Sequence, residues 1–178
     1  MRLYLSLGSN VEPREANVRR ALEMLEEKWG VPCAVCSSLV ETEPWGCWKG
    51  TPARFLNAVA CFDLPDDGVT VPSDNTRLTT SYEARALSLL VDCKAVERAL
   101  GREEILEFAP DGTRIYHPRP IDIDILLWGD LTLDLPTLQI PHPRMWERDF
   151  VLIPLLQVAK GPLAERVRRA IPSNNEIH

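Results

Sequence analysis

Two aspartates, Asp122 and Asp124, stand one residue apart in Ile121-Asp-Ile-Asp-Ile125. In an extended strand successive side chains point to opposite faces, so the three isoleucines can enter a core while both carboxylates project together from the other face. Like charges placed this way repel, and a divalent cation between them relieves the repulsion. An oxygen-only donor pair suits Mg²⁺ or Mn²⁺ better than zinc, and Mg²⁺ held by one or two carboxylates completes its shell with water and substrate phosphates. The spacing alone also describes a solvated strand face. Arg102, Arg119, His142 and Arg148 cluster around the pair in sequence, as phosphate-binding cations would, although a single arginine is more often a surface charge.

A second constellation lies between Arg54 and Phe62, where apolar residues alternate on both faces and one polar side chain, Asn57, interrupts. Asn57 shares its face with Phe55, so an amide with donors and acceptors sits two residues from an aromatic platform, as a planar heterocycle with mixed edge groups requires. Core packing is the competing explanation for the phenylalanine. Ahead of this strand, Thr42-Glu-Pro-Trp-Gly-Cys-Trp-Lys-Gly-Thr-Pro52 combines turn formers with two tryptophans, which suggests a ligand loop or lid.

Alternating strands and helices must position these residues. Arg2 to Leu7 has the period of a half-buried strand. Val18, Ala21, Leu22, Leu25 and Trp29 then recur at helical spacing, from Pro13 in a first turn to a stop at Gly30. Val35 to Val40 predicts another strand. Thr80-Ser-Tyr-Glu83 matches a capping box ahead of a second helix with Leu89, Cys93, Val96 and Leu100 on one stripe, ending at Gly101. Residues 102 to 118 read as a long functional loop, and Ile121 to Trp128 and Leu131 to Leu135 as a hairpin through Gly129-Asp130. A mostly apolar segment, Phe150 to Val158, precedes a basic amphipathic helix around Leu163 to Ile171.

The 178 residues predict a single domain over 1–178, with a surface insertion at 66–80 and a C-terminal helix and tail at 159–178. A net charge of −6 argues against a nucleic-acid or membrane partner, so placed cations must hold any anionic ligand. With no apolar run of membrane-spanning length and no signal peptide at Met1, a cytoplasmic protein is expected. The five cysteines suit reduced thiols better than a disulfide frame, and Cys33-x-x-Cys36 has no second pair to complete a zinc site.

Several motifs occur in order: Leu7-Gly-Ser-Asn10, Thr42-x-Pro-x-Gly46, Phe55-Leu-Asn57, Glu97 with Gly101-Arg102, Pro118-Arg119-Pro-Ile-Asp-Ile-Asp124, Ile140-Pro-His-Pro143 and Phe150-Val-Leu-x-Pro-Leu155. Together they resemble the 6-hydroxymethyl-7,8-dihydropterin pyrophosphokinase family over about residues 2 to 158. The resemblance implies an α+β, ferredoxin-like fold with a mostly antiparallel sheet flanked by helices. It implies transfer of the β,γ-pyrophosphoryl group of ATP to the dihydropterin hydroxymethyl group, leaving AMP, with two Mg²⁺ ions held by Asp122 and Asp124. Arg102 and Arg119 are implied to reach the phosphates, with loop 102–118 as a lid and Glu97, His142 and Arg148 on the ATP side. The pterin ring is implied to stack between Phe55 and Phe150, with Asn57, Gly8, Thr42, Glu43, Trp45 and Asp122 around it. A monomer or weak dimer is expected.

Some positions depart from the family pattern. Tyr116-His117 stands where Trp-Gly is usual, Pro143 where a tyrosine is frequent, and Glu104 where a second loop cation is common. A nucleotidyltransferase or metal phosphohydrolase would use the same acidic pair, and a non-catalytic ferredoxin-like binding domain would leave it solvated.

Overall fold

A computed structural model describes residues 1–44, 46–65 and 76–171. Trp45 and residues 66–75, most of the expected insertion, lie outside the described residues. The chain runs β1 (Arg2–Ser9), α1 (Arg14–Trp29), β2 (Cys33–Cys36), β3 (Val40–Thr42), β4 (Cys47–Trp48), β5 (Phe55–Asp63) and α2 (Thr76–Ala99). It continues through β6 (Glu107–Phe108), β7 (Arg114–Tyr116), β8 (Asp122–Trp128), β9 (Leu133–Leu135), β10 (Leu138–Ile140), α3 (Asp149–Val158) and α4 (Gly161–Ala170).

The main sheet has the order β2-β5-β1-β8, with β3 also on β5, and each of these pairings is antiparallel. Two βαβ units interleaved in this way give the expected ferredoxin-like α+β fold. Strand alternation divides the core. Leu3, Leu5 and Leu7 with Ala58, Ala60, Phe62, Ile121, Ile123 and Ile125 face the layer that contains α1 and α2. Tyr4, Val59, Cys61 and Leu127 meet Val151, Leu152 and Leu155 of α3 and Val167 of α4 on the other face. The isoleucines that flank the aspartates are therefore buried, and the strand face carrying Asp122 and Asp124 is held outward by the core itself.

Three sequence expectations are corrected, and one segment left without an assignment forms a helix. The segment Phe150–Val158 is helical: Val151, Leu152, Pro154, Leu155 and Val158 are all buried, so it shows no polar face whose period could be read. The stretch Leu131–Leu135 does not pair with β8. A turn does close there, with Leu131 N–H donating to Trp128 C=O at 3.1 Å, but β9 then pairs forward with β10. Helix α2 starts at Thr76, four residues before the capping box, so Thr80 continues a helix instead of opening one. The stretch expected as one strand, Val35 to Val40, is divided between β2 and β3, both on β5. Cys33, Cys36, Cys61 and Cys93 are free thiols, and Cys36 is exposed.

Candidate active site

Register brings the two constellations together. Gly8 of β1 pairs with Asn57 on one side and Asp122 on the other, and Ser6 pairs with Asp124. The floor of the cleft is therefore one row of residues across three strands. A Cβ on Gly8 would sit 2.9 Å from Asn57 Oδ1 and 3.4 Å from Phe55 Cδ1, so a glycine is what lets β1 pass beneath these groups. Asn57 is buried and donates through Nδ2 to Thr42 Oγ1 at 2.8 Å, which fixes its amide orientation. Strand β3 supplies that threonine because Thr42 pairs with Phe55.

One wall is cationic. Asp122 accepts from Arg102 Nη1 through Oδ1 and from Arg119 Nη1 through Oδ2, the latter at 2.5 Å. Arg119 is itself placed by Asn10, whose Oδ1 accepts from Arg119 N–H at 2.7 Å and whose N–H donates to Arg119 C=O at 3.1 Å. Glu97, only 2 % exposed, forms the hub behind this wall. Its Oε1 accepts from Arg102 Nη1 at 2.6 Å and from Ile123 N–H at 2.7 Å, and Lys94 Nζ donates to Oε2 at 2.9 Å. Arg148 Nη1 approaches Asp124 Oδ2 at 3.9 Å. His142 is anchored through its N–H to Leu126 C=O at 2.9 Å, and its Nδ1 accepts from Arg144 N–H at 3.2 Å, leaving Nε2 to carry the ring proton in the neutral form.

These contacts make the two aspartates unequal. Burial works against ionisation of Asp122, but Arg119 and Arg102 outweigh it and hold the carboxyl below the ordinary range. Asp124 is pushed up by burial and then by the charge of Asp122. Burial also raises Glu97 against the pull of Lys94 and Arg102, and lowers His142 against that of Asp124.

Gly8, Thr42, Glu43, Phe55, Asn57, Arg119, Asp122, Asp124, Arg148 and Phe150 line a single cleft. Arg102 lines an adjoining cleft under loop 102–118, and His142 faces a third that Asp124 also borders. Glu97 stands behind the surface as a support. Trp45 is outside the described residues. Ser6, Trp48 and Tyr116 complete the main cleft, and Lys94 borders both neighbouring ones; of the four, only Trp48 was expected near a ligand, as one of two tryptophans on a ligand loop or lid. Strand β4 pairs parallel with β7, setting Trp48 opposite Tyr116. The Trp48 ring lies 5.4 Å from Phe55 and 5.5 Å from Tyr116, and the Arg119 guanidinium sits over both Trp48 and Tyr116 at 5.8 and 5.2 Å. The two tryptophans in the Thr42–Pro52 loop were the available signal, but which of them faces the cleft depends on this long-range pairing.

The family model described as 7,8-dihydro-6-hydroxymethylpterin-pyrophosphokinase matches residues 4–160. The chain belongs to this family. Among curated relatives, a 2-amino-4-hydroxy-6-hydroxymethyldihydropteridine pyrophosphokinase of Porphyromonas gingivalis is 39% identical over 158 residues, 88% of this chain and 90% of that protein. The pyrophosphokinase of the same name from Pseudomonas aeruginosa is 35% identical, covering 89% of this chain and 80% of its own length. A folate synthesis bifunctional protein of Arabidopsis thaliana is 36% identical over 88% of this chain, but the match takes up 26% of that longer protein. The matched range contains the cleft floor, the cationic wall and Phe150, leaving α4 outside it.

Proposed function

We propose that this chain transfers the β,γ-pyrophosphoryl group of ATP to the hydroxymethyl group of 6-hydroxymethyl-7,8-dihydropterin, a step in folate biosynthesis. The observation that carries this is the row Asn57, Gly8, Asp122, which joins a cradle for a flat polar heterocycle to an acidic pair ringed by arginines. The oriented Asn57 amide, with Thr42 and the Glu43 segment, reads the polar edge of the pterin, while Phe55 and Phe150 offer apolar faces. The hydroxymethyl oxygen attacks the β-phosphorus, and the bond from that phosphorus to the α,β-bridging oxygen breaks. AMP leaves with the electron pair, and the hydroxyl proton is released.

Asp122 and Asp124 would hold the divalent metal. They fit Mg²⁺: two oxygen donors share one strand face, and among the described residues no group of three or more His, Cys, Asp or Glu could form an all-protein cage, so phosphates and water must complete the shell. When bound, the metal neutralises charge along the polyphosphate. Arg102, Arg119 and Arg148 supply guanidinium groups suited to phosphate oxygens, His142 lies on the nucleotide side, and Glu97 orients Arg102. Loop 102–118, with its short β6 and β7, closes over the site and excludes water. The reading takes 1–178 as one cytoplasmic domain, a monomer or weak dimer without nucleic-acid or membrane partners. Among the described residues no helix is long and apolar enough to cross a membrane.

Incubation with ATP, Mg²⁺ and the dihydropterin is expected to give AMP one-for-one with the pterin diphosphate. Production of ADP or of free pyrophosphate would overturn this assignment. Asp124→Ala is expected to lower kcat by about a hundredfold or more, on the scale of losing one electrostatic element of a transfer site; activity within a few fold of the parent would remove the metal role.

A further inference from the structure

We propose that Arg102 and Arg119 compete with the divalent cation for Asp122, so that they hold this carboxylate until a polyphosphate offers the guanidinium groups another anion. This rests on the reading of Asp122 and Asp124 as metal ligands, and goes beyond it by assigning the arginines a role before the nucleotide is engaged.

Both oxygens of Asp122 are occupied, Oδ1 by Arg102 and Oδ2 by Arg119. Each oxygen keeps a second lone pair, but a metal there would share it with a guanidinium of like charge, and that repulsion favours moving the guanidinium aside. Each arginine has somewhere to go. Arg102 keeps a second anchor on Glu97, whose buried carboxylate is itself braced by Lys94 and the Ile123 N–H. The Arg119 main chain is fixed to Asn10 on both sides, and its guanidinium already rests over Trp48 and Tyr116 at the cleft wall. Asp124 is more open: its side chain is 36% exposed, and its ion-pair contact with Arg148 spans 3.9 Å.

A triphosphate presents several anionic oxygens matched to the guanidinium fork, so its arrival releases Asp122 in exchange. Metal and nucleotide are thereby coupled through protein side chains as well as through their direct contact. By reciprocity, whatever weakens the arginine hold on Asp122 must strengthen binding of the metal alone and reduce that coupling.

The test is titration with Mn²⁺, following free ion by electron paramagnetic resonance, with and without a non-hydrolysable ATP analogue. Arg102→Gln and Arg119→Gln are each expected to bind Mn²⁺ roughly tenfold more tightly than the parent when no nucleotide is present, the scale of a lost charge-assisted hydrogen bond. The gain should vanish when Asp122→Asn is added, and the tightening produced by the nucleotide analogue should shrink. Circular dichroism melts identify a variant that fails to fold; Arg119→Gln, whose main-chain bonds to Asn10 survive the change, then decides. Unchanged or weaker nucleotide-free Mn²⁺ affinity in the folded arginine variants would overturn the competition. Should Asp122→Asn and Asp124→Asn leave Mn²⁺ binding unaffected even with nucleotide, the metal-pair reading itself fails, a result distinguishable from the first.

Discussion

At the scale of single residues, the site is decided by what its neighbours permit. Gly8 needs no special backbone conformation; it matters because Asn57 and Phe55 lie where its side chain would go. Gly8→Ala must push the Asn57 amide off its bond to Thr42, so the pterin KM is expected to rise about tenfold with the ATP KM little changed, and unfolding to become easier by about 1–3 kcal/mol. Steady-state kinetics and a denaturant melt check both parts. Trp48 is the counterpart on the lid side, packed between Phe55 and Tyr116 beneath Arg119. Trp48→Leu removes both ring contacts and is expected to raise the KM for both substrates several-fold, whereas Trp48→Phe retains most of the activity. The shared faces of Asp122 with Asp124 and of Phe55 with Asn57 were legible in the sequence because strand alternation sets them, while the site roles proposed for all four rested on the motif resemblance. The positions of Trp48, Tyr116 and Lys94 were not legible, because these residues reach the site through pairings between distant loops or across a boundary between clefts.

Elements with a strong signal were readable: β1 and the start of β8 alternate apolar and polar residues, β5 is a nearly unbroken apolar run of strand length, and α1 carries a helical apolar stripe. Helix α3 was missed because it is buried nearly all round and contains Pro154, which reads as a breaker. The β4-β7-β6 sheet was missed because strands of two or three residues carry no period. That small sheet ties the Thr42–Pro52 loop to loop 102–118, reinforced where Lys49 Nζ and His117 Nε2 meet Glu107 Oε2 at 3.0 and 2.8 Å. Glu107→Gln is expected to speed amide exchange in β6 and β7 without affecting β1 or β5, measurable by hydrogen exchange with mass spectrometry. At the far end of β1, Arg2 Nε and Nη2 clasp Asp63 at 2.9 and 3.0 Å and hold its pKa below the ordinary carboxylate value. A carboxyl lowered in the folded state stabilises above its unfolded pKa, and that stability fades as pH falls through the folded value. The pair is exposed to solvent and screened, so Asp63→Asn should cost about 0.2–1 kcal/mol at neutral pH and nothing once the pH is well below the lowered pKa of the folded carboxyl.

For the whole molecule, a net charge of −6 is compatible with the proposed anion site because charge is arranged and not averaged. Arg102, Arg119 and Arg148 converge where Asp122 and Asp124 are held outward by buried isoleucines, so part of the acidic total belongs to the anion site itself. The sheet that exposes this row is clamped by helices on both faces, which makes the site rigid at its floor and adjustable at the loops. Ligand that binds only the folded chain must therefore raise its melting temperature. At a free concentration of about a hundred times Kd the gain is about 2.7 kcal/mol, which for a chain of this length is roughly 5–11 °C. The nucleotide analogue with Mg²⁺ is expected to produce a shift of this order in a thermal melt. Asp122→Asn with Asp124→Asn should abolish most of the Mg²⁺-dependent part while leaving a smaller shift from the arginines alone, because the proposal puts the metal on the β8 aspartates and the anion on arginines outside that strand. A double variant that keeps the full shift would place the metal elsewhere in the fold.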